Sequence, residues 1–179
     1  KAETGFFLNG ENIPLKGVCL HHDHGALGAR SYRGAVKRQL EILKKIGVNA
    51  IRTAHTPFDK HFLNLCDEMG LLVIEEAFDT WYEGKKKYDY GRFFEQKAKT
   101  PFSKDETWAQ WDLQEMVRKS YHHPSIIMWS VGNEIGESND GNDKAVQTVS
   151  NLVKWVKEID TQRYVTMGQD VYRWAAEGG

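Results

Sequence analysis

Cysteine is scarce in this chain. Cys19 and Cys66 are the only two, and no C-x-x-C pair occurs. That usage argues against a zinc ribbon or a disulfide framework. Cys19 lies in an apolar, strand-like run and Cys66 on a predicted helix, so both are expected as buried free thiols. Excess charge of either sign is also missing. The formal net charge is −1, which gives no electrostatic case for nucleic acid or an anionic membrane surface as partner. No apolar run approaches the roughly 20 residues of a membrane span, and the N-terminus lacks a signal-peptide core. A soluble protein is expected. Because the chain starts at Lys1-Ala2-Glu3, a signal or earlier domain would lie outside it, and the compartment stays open. Low-complexity segments and sequence repeats are absent.

What remains is an ordinary globular composition. Hydrophobic residues make up 40% and charged residues 27% of 179, enough for one domain with a sizeable core. The six tryptophans fit core packing first and a sugar or aromatic ligand second.

The order of elements is legible. Phe6–Leu8, an Asn9-Gly10 turn and Ile13–Leu15 read as a hairpin. Val18-Cys19-Leu20 is a short strand that runs into His21-His22-Asp23-His24. Residues 34–46 have helical period, with Val36, Leu40, Leu43 and Ile46 on one face and Gly47 as the stop. Asn49–His55 is a strand, and Asp59 caps a helix bearing Phe62, Leu63, Leu65, Cys66 and Met69. Leu71–Glu76 is the next strand. A long polar stretch from Thr80 to about Lys104 precedes a helix with Trp108, Trp111, Met116, Val117 and Tyr121. Ile126–Trp129 begins a strand that ends in Gly132-Asn133-Glu134. A loop over 136–143 then leads to a helix with Val149, Leu152, Val153, Val156 and Ile159, and Tyr164–Met167 is the last strand.

Apolar strands alternating with amphipathic helices predict a parallel α/β sheet. An open doubly wound sheet normally carries a Gly-rich phosphate turn after its first strand, where this chain has histidines. Polar side chains instead gather at every strand's C-terminal end: the His cluster, Arg52 and His55, Glu75, Glu76 and Asp79, Asn133 and Glu134, Gln169 and Asp170. That distribution predicts a TIM barrel, whose sites are built from strand ends. The fold expected is a partial (β/α)8 TIM barrel, about the first five strands and four helices, preceded by a short β-hairpin. Uncovered sheet edges would then favour self-association.

Glu134 leads the candidates for chemistry. Apolar walls around a carboxyl group favour its neutral form, as a general acid requires, and Asn133 beside it can bond a substrate hydroxyl. Equally, Glu134 could cap or pair structurally. His22 and His24 alternate on one strand face and could hold a metal, but that chemistry wants further ligands that the later strands do not offer. Otherwise they are hydrogen-bonding groups for a polyhydroxylated ligand, or rim residues. Arg52 could orient catalytic carboxylates, or form a structural pair with Glu75 or Glu76. Lys85-Lys86-Lys87 reads as solvated loop, although a loop this long is often functional. It would put Trp81, Tyr82, Tyr88 or Tyr90 within reach of a sugar face.

Three stretches, FFLNGENIPLKGVCLHHDHGALGA, LEILKKIGVNAIRTAHTPFDKHFLNLCDEMGLLVIEEAFDTW and HHPSIIMWSVGNEIG, resemble the catalytic barrel of glycoside hydrolase family 2, most closely its bacterial β-galactosidase branch. The resemblance covers residues 1–179 almost entirely. It implies a retaining exo-β-glycosidase acting on terminal β-galactosides, with β-glucuronidase or β-mannosidase as alternatives in the family. Outside the family stand a metal-dependent barrel hydrolase and a non-catalytic sugar-binding fragment. By resemblance Glu134 is the general acid/base and Asn133 contacts the sugar 2-hydroxyl. Arg52 lies under the catalytic carboxylates, and His21 and His55 sit near the sugar. Asp79 and Trp81 are pocket residues. Some members bind magnesium through a Glu and a His where this chain has Thr80 and Tyr82, so neither a metal nor any other cofactor is expected. The family nucleophile is a Glu on the seventh barrel strand, a position this chain does not reach. The chain by itself is therefore expected to be inactive.

Overall fold

A computed structural model describes residues 4–85, 90–139 and 143–169. Lys86, Lys87, Tyr88 and Asp170, named above, lie outside them.

The chain begins with a hairpin of β1 (Phe7–Leu8) and β2 (Glu11–Asn12). Asn9 (φ 52°) and Gly10 (φ 87°) are both left-handed, as a two-residue hairpin turn requires. So tight a turn starts the pairing at Glu11, opposite Leu8. The second strand therefore begins before Ile13, whose N–H closes the ladder on Phe6 O, and Pro14 has no N–H to extend it further.

The remaining strands are β3 (Gly17–Leu20), β4 (Ala50–Thr53), β5 (Leu72–Glu76), β6 (Ile126–Asn133) and β7 (Tyr164–Gly168). They form one parallel sheet, paired in chain order from β3 to β7. Four long helices connect them: α1 (Arg33–Lys45), α2 (Lys60–Met69), α4 (Trp108–Ser120) and α6 (Asp143–Lys157). The order never reverses, so the sheet has no switch point of the doubly wound kind. It is the first part of a TIM barrel. Among the described residues, three short helices are not foreseen by the sequence: a single 3-10 turn at Gly25–Leu27, α3 (Gly91–Glu95) in the long polar stretch and α5 (Gly136–Asn139) in the following loop. Helix α3 buries Phe94 against Phe78 and Tyr82, with ring centroids 5.5 and 5.0 Å apart.

The core lies between the sheet and the helices. Ile51, Val73 and Trp129 meet Leu40, Phe62, Leu63, Leu113, Val117 and Leu152, all at most 1% exposed. Each fully buried side chain of this size stabilises the fold by roughly 1.5–3 kcal/mol before entropy is counted. Asp59 caps α2 by accepting from the N–H groups of His61 and Phe62, and Gly70 ends that helix in the left-handed conformation. Ile46 departs from expectation at 71% exposure, because α1 ends at Lys45 and its side chain leaves the helical register. Cys66 is buried, and burial pushes its thiol up. Cys19 is exposed, contrary to expectation. It stands opposite Arg52 in the ladder, on the inner face of the sheet, whereas the core contacts belong to Val18 and Leu20.

Below the sheet, Asp160 is fully buried and accepts from Trp129 Nε1 at 2.9 Å, Arg163 Nη1 at 2.7 Å and two backbone N–H groups. Arg163 also donates to the carbonyls of Tyr121, His123 and Ile126. Burial opposes the charge on Asp160, but these donors outweigh it and hold its pKa at about 2. No helix among the described residues is long and apolar enough to cross a membrane.

Candidate active site

Strand alternation separates two adjacent carboxylates at the end of β5. Both Glu75 and Glu76 are fully buried. Glu75 faces the helices, where Lys119 of α4 donates to it at 3.0 Å. Burial raises its pKa against the opposing charge of Lys119. Glu76 faces inward and takes the opposite role. Arg52 donates to its two oxygens through Nε (2.7 Å) and Nη2 (2.9 Å), and Ser130 Oγ donates at 2.6 Å. His55 Nδ1 lies 2.8 Å from Glu76 Oε1. An ionised carboxylate only accepts, so Nδ1 carries the proton. Arg52 therefore pairs with Glu76 and not with Glu75. Burial lowers the Arg52 pKa, but hydrogen bonding to Glu76 and its charge outweigh this, and the net shift is upward.

A bulge in β6 brings Asn133 to this cluster. Ser130 pairs with Thr166, yet Asn133 pairs with Gly168, so three steps on β6 match two on β7. In a regular strand, residues an odd number of positions apart face opposite sides. The extra residue restores the parity, and Asn133 joins Ser130 on the inner face. Its Oδ1 accepts from Arg52 Nη2 at 2.6 Å and its Nδ2 donates to Asp79 Oδ1 at 3.0 Å. Arg52 can only donate, which fixes the amide orientation. The second Nδ2 hydrogen is then the group with which Asn133 can meet a ligand.

Glu134 follows in the left-handed region, φ 45°. Its N–H donates to Gly168 O at 2.5 Å. Among the described residues no apolar walls enclose its carboxyl group, contrary to expectation: the side chain is 58% exposed, and Lys85 Nζ lies 3.5 Å from Oε2. Lys85 also donates to Asp79 Oδ1 at 3.1 Å and to the Asn133 carbonyl at 2.6 Å. Trp81 departs from its expected place beside a sugar. It is fully buried and its indole N–H donates to Val131 O, so no ligand can stack on it. Tyr82 carries Lys144 Nζ 3.5 Å above its ring. Tyr90 packs on Phe78 and Phe93 and lines a cleft of about 450 Å³ with Phe78 and Met116. His21 meets His55 edge to face, centroids 5.2 Å apart, while His22 packs against Phe58 at 4.1 Å. No group of three His, Cys, Asp or Glu side chains among the described residues is placed to hold a metal ion.

The structure thus joins Arg52, His55, Asp79 and Asn133 in one hydrogen-bonded cluster around Glu76, with Glu134 linked to it through Lys85 and His21 beside His55. It adds Glu76, Ser130 and Lys85. A polar Ser130 inside an apolar strand is a signal for its role. Nothing in the sequence distinguishes Lys85 from the two lysines after it. The ensemble offers one exposed carboxyl group beside a rigidly held amide, suited to proton transfer at a hydroxylated ligand.

Comparison with known proteins identifies the family to which this fold belongs. Residues 2–177 match the family model described as Glycosyl hydrolases family 2, TIM barrel domain. A β-galactosidase of Bacteroides ovatus, BoGH2A, is 43% identical over 136 residues, covering 76% of this chain and 15% of the relative. A putative β-glucuronidase of Formosa agariphila is 39% identical over 168 residues, covering 94% of this chain and 14% of the relative. The solved structure of a family 2 member from Bacteroides cellulosilyticus superposes with a TM-score of 0.84 at 42% identity, over 95% of this chain and 20% of that one. The chain thus spans about one seventh of the length of these curated relatives. It belongs to glycoside hydrolase family 2, within the TIM-barrel domain.

Proposed function

We propose that this chain is the first portion of the catalytic barrel of a retaining exo-β-glycosidase, with Glu134 as general acid/base. The observation that carries this reading is the exposed Glu134 carboxyl group beside an Asn133 amide locked by Arg52 and Asp79. In the retaining mechanism two carboxyl groups about 5–5.5 Å apart share the work. Glu134 protonates the glycosidic oxygen as the bond to the anomeric carbon breaks. A second carboxylate, in a later part of the barrel, attacks that carbon. Glu134 then takes a proton from water, which releases the sugar. The free Nδ2 hydrogen of Asn133 holds the 2-hydroxyl. Buried Glu76 is anchored by Arg52, His55 and Ser130 and acts as the base of the pocket.

The substrate class proposed is terminal β-galactosides. The name of the 43%-identical relative supports it. So does the engagement of both Arg52 and Lys85 by protein carboxylates, which favours a neutral sugar over a uronide. The putative glucuronidase relative supports the second reading, a β-glucuronidase. A panel of nitrophenyl β-glycosides hydrolysed by the full-length protein decides between them. Preferred turnover of the galactoside, lost in Glu134→Gln, is the expected result. Preferred turnover of the glucuronide overturns the substrate, and full activity of Glu134→Gln overturns the mechanism.

A further inference from the structure

We infer that Lys85 is a positioning residue for the acid/base step, which extends the reading of Glu134 given above and rests on it. The peptide unit between Asn133 and Glu134 is gripped at both ends. Its carbonyl accepts from Lys85 Nζ at 2.6 Å, and its N–H donates to Gly168 O at 2.5 Å. Glu134 leaves this peptide in a left-handed conformation, φ 45°, which is sparsely populated for a residue with a Cβ. Such a conformation persists only when its surroundings impose it. Lys85 and Gly168 together impose it, and they thereby set the direction of the carboxyl group.

The same ammonium group then reaches the carboxyl group itself, 3.5 Å from Oε2. Its remaining partner, Asp79 Oδ1 at 3.1 Å, is the oxygen that also accepts from Asn133 Nδ2. Lys85 therefore ties the sugar-binding amide and the acid/base group into one unit. Its three donors meet three acceptors, which leaves it a fixed element of the site and not a hook for an anionic sugar. Its charge serves the first chemical step. As the glycosidic bond breaks, the proton passes from Glu134 to the departing oxygen and leaves a carboxylate beside Lys85. A cation at that distance stabilises the carboxylate and so eases the transfer. Arginine in place of Lys85 would keep the charge, whereas methionine would keep only the apolar stem.

The test is leaving-group dependence in the full-length protein. Aryl glycosides of its preferred sugar are compared, one with a phenyl and one with a 2,4-dinitrophenyl leaving group; the second departs without a proton. Lys85→Met is expected to lower kcat/KM roughly 10- to 100-fold for the phenyl glycoside and less than about 3-fold for the dinitrophenyl glycoside, with Lys85→Arg recovering most of the loss. Equal losses on both substrates in folded Lys85→Met, or no loss on either, overturn the inference. Glu134→Ala with added azide tests the underlying reading separately. Formation of the glycosyl azide by that variant upholds Glu134 as acid/base whatever Lys85 does, and its absence removes the premise.

Discussion

Replacing Asp160 with Asn isolates the electrostatic part of the network below the sheet. The side chain keeps nearly the same shape and one accepting oxygen, but loses its charge. In the folded chain the carboxylate of Asp160 has a pKa of about 2, against an ordinary value of about 3.9. Because the folded value is the lower one, the charged group stabilises the fold above the ordinary carboxylate range. That stabilisation is lost as pH falls toward 2. A separation of nearly two pH units corresponds to roughly 2 kcal/mol at neutral pH, of which about half should survive at pH 3. For a domain of this size that is a Tm about 4–8 °C lower in Asp160→Asn at pH 7. Urea unfolding of both proteins, followed by tryptophan fluorescence from pH 7 down to pH 3, measures the gap directly. The gap should narrow by about half over that range. A gap that stays constant with pH would show that Asp160 acts through shape and neutral hydrogen bonds, and the electrostatic reasoning would fail.

Other perturbations reach the site and the core. Gly168→Ala would set a Cβ against the Arg52 guanidinium. It should push that group off Glu76 and Asn133 and lower the glycosidase kcat/KM proposed for the full-length protein at least about 10-fold, with little change in circular dichroism. Gly132→Ala would place a Cβ 2.9 Å from Ile135 Cγ1 and 3.2 Å from Trp81 Nε1; thermal melts should show a loss of about 1–3 kcal/mol from overpacking. The chain alone should show no turnover of nitrophenyl β-galactoside, and clear turnover abolished by Glu134→Gln would contradict the division of carboxylates proposed above. Tyr164 on β7 is 75% exposed, and uncovered strand faces favour association. Light scattering of the isolated chain should therefore reveal dimers or larger species, and a monodisperse monomer would argue otherwise.

Strand and helix positions were legible because burial dictates residue type. Ile126 to Val131 and the Phe62–Cys66 stretch announce themselves by apolarity and period, and Asp59 and Gly70 by cap chemistry. Short helices were not. Helix α3 has five residues, and its order comes from Phe94 packing on Phe78 and Tyr82, which no local pattern reports. The candidate site was readable wherever a polar residue closes an apolar strand, as with Arg52, Glu76, Asn133 and Glu134. Which of two adjacent glutamates serves Arg52 depended on the phase of β5, and sequence alone left that open. Trp81 follows the same logic in reverse. Its neighbours suggest a ligand pocket, but the indole is spent on the Val131 carbonyl and the core. Lys85 was opaque because its role depends on where a loop folds back, which charge content cannot encode.

The bulge in β6 has a consequence for how substitutions will read out along that strand. From Met128 to Ser130, beyond a first register shift at Ile127, tolerance to polar replacement should alternate with each residue. Across Val131 and Gly132 the rhythm should slip by one beat, so that positions 130 and 133 behave alike. Deleting Gly132 would keep every downstream residue type and every strand-forming preference. It would nonetheless turn Asn133 toward the helices and detach Glu134 from its place at the rim. One uncounted residue in the ladder thus acts as the phase setting for this part of the pocket, and a library of single deletions through 130–134 would expose it as a position where length matters more than chemistry.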